Sequence, residues 1–202
     1  IEQRLKIPLK PLFLEVPLIG NPPFLGKKEQ TKEQKIEVKQ VFKGVKGNGV
    51  MDYVSCWYLK AADYMQDTEI SAAFVSTKSI VQGEQVGILW NEMYKRNCRI
   101  FFGHRTFKWT IDAKKTRGMK IAAVHVVIVG FSAIDITPKY IFEYETVTSN
   151  PHILTAQTVN AYLVDGPEVI VLGRRNSICH APEIKYGSIG IDDGHLILTN
   201  EE

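Results

Sequence analysis

The sequence predicts an α/β fold, a parallel sheet with an antiparallel edge hairpin, followed by a partial α+β module. Three observations carry that prediction. Ile70-Ser71-Ala72-Ala73-Phe74-Val75-Ser76-Thr77 reads as a buried strand followed by a polar loop and a helix over 83–94, the strand, loop, helix spacing of a parallel sheet. Residues 99–104 and 121–131 are two further strands with no helix-length apolar pattern between them, so they pair as a hairpin rather than through a crossover. After Asp135 the regular alternation fades, which sets a boundary near residues 135–155 and separates 1–135 from 136–202.

Element by element, Val16 to Gly20 is a short apolar run closed by Gly-Asn-Pro-Pro, read as a buried strand. The Lys-, Glu- and Gln-rich stretch from Gly26 to Gly49 reads as a solvated helix and a loop, with Lys27, Lys28, Lys32, Lys35, Lys39, Lys43 and Lys46 interleaved with Glu29, Glu33 and Glu37. From Met51 to Met65 the positions Tyr53, Val54, Trp57, Tyr58, Ala61 and Tyr64 recur at spacings of three and four, an amphipathic helix with Asp52 near its positive end. Beyond the boundary, 140–144 and 168–172 are predicted strands and 155–163 a helix.

Composition narrows the function. At 202 residues and 45% hydrophobic content the chain can bury a genuine core, and a net charge of +3 implies polyanion binding only where basic residues cluster. Three cysteines without a C-x-x-C pair predict buried thiols in a reducing, cytoplasmic compartment. The longest apolar run is about half of what a membrane-spanning helix needs. Five histidines show no metal-ligand spacing, so no metal is expected, and His125 on an apolar strand is read as a hydrogen-bonded core residue.

Asn21-Pro22-Pro23-Phe24 is the stretch that reads as chemistry. An amide able to accept from an amine, two prolines that fix the backbone beyond it, and a ring beside them form a rigid polar clamp against a stacking surface. Such a clamp suits a planar base with an exocyclic amine, although Asn-Pro and Pro-Pro also punctuate ordinary turns.

An apolar strand ending in Asn-Pro-Pro-Phe, then a parallel strand, then an antiparallel hairpin resembles the C-terminal half of amino-methylating DNA methyltransferases. Gly49-Val50-Met51-Asp52-Tyr53-Val54, Phe74-Val75-Ser76-Thr77, Gly83-Glu84-Gln85-Val86, His104-Arg105-Thr106-Phe107-Lys108-Trp109 and the run from Ala123 to Phe131 are similar to the single-chain restriction-modification enzymes of the MmeI group. The similarity runs from about Val16 to Phe131, and more loosely to Gly194. It implies half of a Rossmann-like sheet with an antiparallel last strand, S-adenosylmethionine as cofactor, double-stranded DNA as partner and a flipped-out adenine as substrate. Where the family pattern has an asparagine after Ser-Thr, this chain has Lys78, which puts an amide contact there in doubt.

In those terms Asn21, Pro22, Pro23 and Phe24 are the expected catalytic residues, with Asn21 also facing the cofactor. The resemblance makes Phe107 the second stacking face, with Trp109 after it. Lys108, Lys114, Lys115, Arg117 and Lys120 share the loop beside that pocket and are expected to contact phosphates. Arg174 and Arg175 would read bases or phosphates if residues 136–202 begin a target-recognition region. No glycine-rich turn after a strand precedes Asn21, so most of the cofactor site is expected in a longer parent, and the chain alone is expected to be inactive; whether that parent also carries an endonuclease domain is not written in this sequence. Competing readings are a protein glutamine methyltransferase, since the same clamp holds any planar amide, and a non-catalytic DNA-binding module.

Overall fold

The computed structural model describes residues 16–109, 124–146, 148–173 and 179–180, with Trp109 and Val124 described by backbone alone. In chain order the elements are β1 (Leu18–Gly20), α1 (Lys32–Val41), α2 (Ser55–Tyr64), β2 (Ser71–Thr77), α3 (Glu84–Lys95), β3 (Arg99–Trp109), β4 (Val124–Ser132), β5 (Lys139–Glu143) and β6 (His152–Ala156), with short 3-10 turns at Asn48–Val50 and Lys78–Ile80. The strands form one six-stranded sheet in the order β1-β2-β4-β3-β5-β6. The predicted α/β class is what the structure contains.

Pairing is parallel between β1 and β2 and between β3 and β5, and antiparallel where β4 lies between β2 and β3. The predicted hairpin therefore forms, but not at the sheet edge: its second strand inserts beside β2 and its first is flanked by β5, so both lie inside the sheet. One face of the sheet carries Ala72, Phe74, Val129 and Phe131 against α2 and α3, where Tyr58 stacks on Phe131 at 5.0 Å and meets Trp90 edge-on at 6.2 Å. Tyr58, Trp90, Phe131, Leu89 and Met93 are fully buried, and this is the core of the molecule. On the opposite face Ala73, Val75, Ile128, Phe102 and His104 are half-buried.

Local chemistry explains the helix boundaries. Thr31 and Gln34 form a reciprocal capping box at the start of α1, with Gln34 N donating to Thr31 Oγ1 at 3.2 Å and Thr31 N to Gln34 Oε1 at 2.9 Å. Val38 and Phe42 turn that largely solvated helix onto the core. Gly83, at φ +79°, occupies the left-handed region from which α3 starts.

Several expectations are corrected. β1 is not buried: among the described strands it is the outermost on one side of the sheet, with Ile19 81% exposed. Residues Arg105 to Trp109 belong to β3 rather than to a loop, because the ladder with β4 continues through them. The predicted helix over 155–163 is absent: β6 occupies His152–Ala156, and Leu163 follows in a turn at φ +55°. No strand forms at 168–172. At β6 the extended conformation is fixed by antiparallel pairing with Lys139–Glu143 of β5, which local periodicity does not see. The sheet itself continues past Asp135 through β5 and β6, and one compact unit reaches Leu172.

Candidate active site at the strand ends

Gly20, the last residue of β1, pairs with Phe74, and the next residue is Asn21. β2 and β3 run the same way, so the ends of β1, β2 and β3 share one rim of the sheet. Thr77, Val126 and Phe107 align across neighbouring strands, which sets Phe107 on the rim that receives Asn21. Ligands of open α/β sheets bind at this end of the strands.

Within the motif, Asn21 and Pro23 are exposed, Pro22 is buried and Phe24 is half-buried, packed on the core. The chain beyond is tied down. Leu25 O accepts from Tyr53 N at 2.8 Å and from Gln30 Nε2 at 3.1 Å, and the same Gln30 amide donates to Met51 O at 2.9 Å. Gln30 is buried, so its two donations sit where water competes poorly and hold the two loops together.

Asp52 anchors the second loop. It is only 7% exposed, and its carboxylate accepts from Thr77 Oγ1 at 2.9 Å and Gln85 Nε2 at 3.1 Å while its own N–H donates to Gln85 Oε1 at 2.9 Å. The end of β2, the start of α2 and the first turn of α3 are thereby joined next to the loop that carries Phe24. Sequence reasoning set Asp52 at a helix start but missed this network and Gln30, because their partners lie distant along the chain.

At the other side of the rim, β3 carries an irregularity between His104 and Phe107, which pair with Ile128 and Val126. Three steps on β3 match two on β4, a β-bulge, so Phe107 returns to the face of His104 instead of pointing away from it. There the His104 ring stacks on Phe142 at 4.0 Å and 5°, and Phe107 stacks on Tyr144 at 5.2 Å and 21°. His104 Nδ1 lies 2.8 Å from the Tyr144 hydroxyl. Burial holds the His104 pKa below its ordinary value and that of the Tyr144 phenol above its own, so near neutrality an uncharged imidazole and an uncharged phenol share this hydrogen bond. Tyr144 was a strand residue in the sequence; the period-two series Tyr140, Phe142, Tyr144 was the signal for its aromatic role.

The basic residues divide. Lys108 is exposed on β3, whereas Lys114, Lys115, Arg117 and Lys120, like Arg174 and Arg175, lie outside the described residues, as does the side chain of Trp109. Arg105 is committed to structure: its Nε donates to Leu163 O at 3.0 Å and its guanidinium pairs with Glu143. Lys27, Lys35 and Lys39 are exposed, as a solvated face requires, and border a shallow depression beside Gln30, Val38 and Asn48. His125 is corrected: it is exposed opposite Lys108, not a core residue. Lys78 is exposed immediately after β2.

Cys56 and Cys98 are buried, with burial pushing their thiols up to about 12 and about 11, while Cys179 is exposed and departs from the expectation of a buried thiol. Among the described residues no cluster of His, Cys, Asp and Glu is disposed to hold a metal ion, and no helix is long and apolar enough to cross a membrane.

The MmeI DNA-methyltransferase domain family matches residues 4–143. DNA methyltransferase A of Bacillus subtilis (strain 168) is 41% identical over 191 residues, covering 93% of this chain and 20% of that protein. The structure of the type IIL restriction-modification enzyme MmeI in complex with DNA aligns with a TM-score of 0.82 at 43% identity, covering 91% of this chain and 24% of that one. The chain thus spans well under two thirds of either relative. With the family match over most of its length and a fold shared at that identity, this chain belongs to the MmeI DNA-methyltransferase family.

Proposed function

We propose that the chain is the adenine-clamping part of a DNA methyltransferase within a restriction-modification enzyme, transferring a methyl group from S-adenosylmethionine to the exocyclic amine of a flipped-out adenine. The observation that carries the reading is Asn21-Pro22-Pro23-Phe24 following the end of β1, on the rim shared with Phe107, in a chain of this family. Double-stranded DNA is the partner, and residues after the sheet begin the target-recognition region.

Adenine's amine is a poor nucleophile because its lone pair is delocalised into the ring. If the Asn21 Oδ1 and the Pro22 carbonyl oxygen both accept its hydrogens, the nitrogen is held pyramidal and its lone pair is directed out of the ring plane. Extruding the base costs a few kcal/mol, and the rings of Phe24 and Phe107 offset part of that by stacking, with Trp109 in reserve. Lys108, with Lys114, Lys115, Arg117 and Lys120, is suited to backbone phosphates. S-adenosylmethionine, when bound, supplies the methyl on a sulfonium leaving group. This chain's own contribution to holding it is Asn21, whose exposed amide can hydrogen-bond at the strand end. Catalysis here is positioning, and no general base is required of the residues present.

The test uses the full-length enzyme that carries this segment, labelled S-adenosylmethionine and unmethylated genomic DNA. Asn21→Ala is expected to abolish methylation while DNA binding persists, and nuclease digestion of wild-type product is expected to yield N6-methyladenine. Unchanged methylation in the variant rejects the role of Asn21, label on cytosine rejects adenine, and label on protein rejects DNA as acceptor. The 202-residue chain alone is expected to show no turnover.

A further inference from the structure

We propose that Tyr144, held by His104, is a positioning residue that presets the ring of Phe107 for the extruded base. This deepens the reading above and rests on Phe107 serving as a stacking face.

The bulge in β3 and a linked set of ring contacts converge on Phe107. The bulge between His104 and Phe107 returns its side chain to the half-exposed face of the sheet, because one extra residue on β3 restores the alternation that a three-residue step would break. On that face the Tyr144 ring lies nearly parallel to it, 5.2 Å between centroids and 21° between planes, and the His104 ring approaches it at 6.1 Å. The Tyr144 ring is itself held at its hydroxyl end by the 2.8 Å bond between that hydroxyl and His104 Nδ1. His104 in turn stacks flat on Phe142 of β5, at 4.0 Å and 5°. The chain of contacts runs from the neighbouring strand through His104 and Tyr144 to Phe107, and each member is half-buried rather than sealed in the core.

A purely structural cluster would not need this arrangement at the rim. The fully buried rings Tyr58, Trp90 and Phe131 already hold the opposite face, so the partly exposed series is not what closes the core. A phenylalanine near the surface ordinarily samples several rotamers, and a base meeting it would have to select one. A ring already stacked on Tyr144 is fixed in tilt before the base arrives. Such preorganisation acts on the bound, reacting geometry and leaves the initial encounter with DNA largely untouched.

The experiment is steady-state methylation of unmethylated genomic DNA by the full-length enzyme, with Tyr144→Phe, Tyr144→Leu and His104→Gln, and with Asn21→Ala alongside. Tyr144→Phe keeps the stacked ring and loses the bond to His104; Tyr144→Leu loses the ring. Expected is a graded loss in kcat: about tenfold to a hundredfold for Tyr144→Leu and less for Tyr144→Phe and His104→Gln, with KM for DNA and the melting midpoint within about twofold and a few degrees of wild type.

Wild-type kcat in Tyr144→Leu overturns the proposal, as does an equal loss in all three Tyr144 and His104 variants, or a rise in KM with kcat unchanged. Should Tyr144→Leu melt early, Tyr144→Phe and His104→Gln carry the test, and wild-type kcat in both overturns it. Loss of methylation in Asn21→Ala with none in the Tyr144 variants rejects this inference alone; full activity in Asn21→Ala rejects the reading beneath it.

Discussion

His104 shows how one side chain can be legible as a letter and illegible as a role. In the sequence it is one of five histidines without ligand spacing, and that remains true of its chemistry. Its role depends on Phe142 and Tyr144, nearly forty residues on, reached only because β5 pairs with β3. Asn21 to Phe24 could be singled out because the motif is contiguous and its prolines fix the local backbone. Gln30 and Asp52 could not, because an amide or carboxylate acquires meaning only when its partners arrive from other elements. A pH prediction belongs to this scale. Burial lowers the His104 pKa in the folded chain, so on acidification the unfolded chain takes up this proton first. Stability from the neutral imidazole is therefore whole above the ordinary histidine value of about 6.5 and is lost as the pH falls from there through the lower folded value. Urea midpoints measured between about pH 7.5 and 5 are expected to fall with acidification, and His104→Gln is expected to flatten that slope; parallel slopes in the two proteins would rule out His104 as a cause.

At the scale of elements, β2, α3 and the β3–β4 hairpin were readable because apolar runs of the right length alternate with polar loops and no helix-length pattern intervenes in the hairpin. β6 was not, since His152 to Leu154 expose their side chains on an edge strand and offer no alternation to detect. β3 carries more information than its length shows. Its two irregularities, between Ile100 and Phe102 and between His104 and Phe107, each shift the ladder with β4 by one residue and aim Phe102, His104 and Phe107 at one face. Phe102 consequently lies across Gly130, where a Cβ would overlap its ring. Gly130→Ala is expected to destabilise the fold by about 1–3 kcal/mol, the usual cost of overpacking. Urea unfolding measures this, and pairing the change with Phe102→Leu in a double-mutant cycle should recover much of the loss. Independent, additive effects of the two substitutions would mean that Phe102 is not the obstacle.

At the scale of the whole molecule the two sides of the sheet are unequal. Helices α2 and α3 seal one face around Tyr58 and Trp90, whereas the other leaves Ala73, Val75, Ile128 and Phe102 half-buried. The edge at β1 adds to that asymmetry. It pairs only with β2 among the described strands, so its outer N–H and C=O groups meet no further strand there, and Ile19 and Val16 are 81% and 56% exposed beside it. A strand edge with no further partner among the described strands, flanked by apolar side chains, is a template for pairing with another chain. Neither the alternation of Ile19 with Leu18 nor any local signal could forecast this, because a short apolar run looks the same in a central strand as at an edge. The purified 202-residue chain is therefore expected to self-associate as its concentration rises, by sedimentation velocity. Ile19→Lys puts a charge on the exposed side of β1 while Leu18 and Gly20 keep their contacts with the helix-covered face through Ala72 and Phe74. It should return the protein to monomer with unchanged far-UV circular dichroism and a melting midpoint within a few degrees of wild type. If association persists in Ile19→Lys at the same concentrations, the contact lies elsewhere, and the half-buried face around Phe102 becomes the surface to substitute.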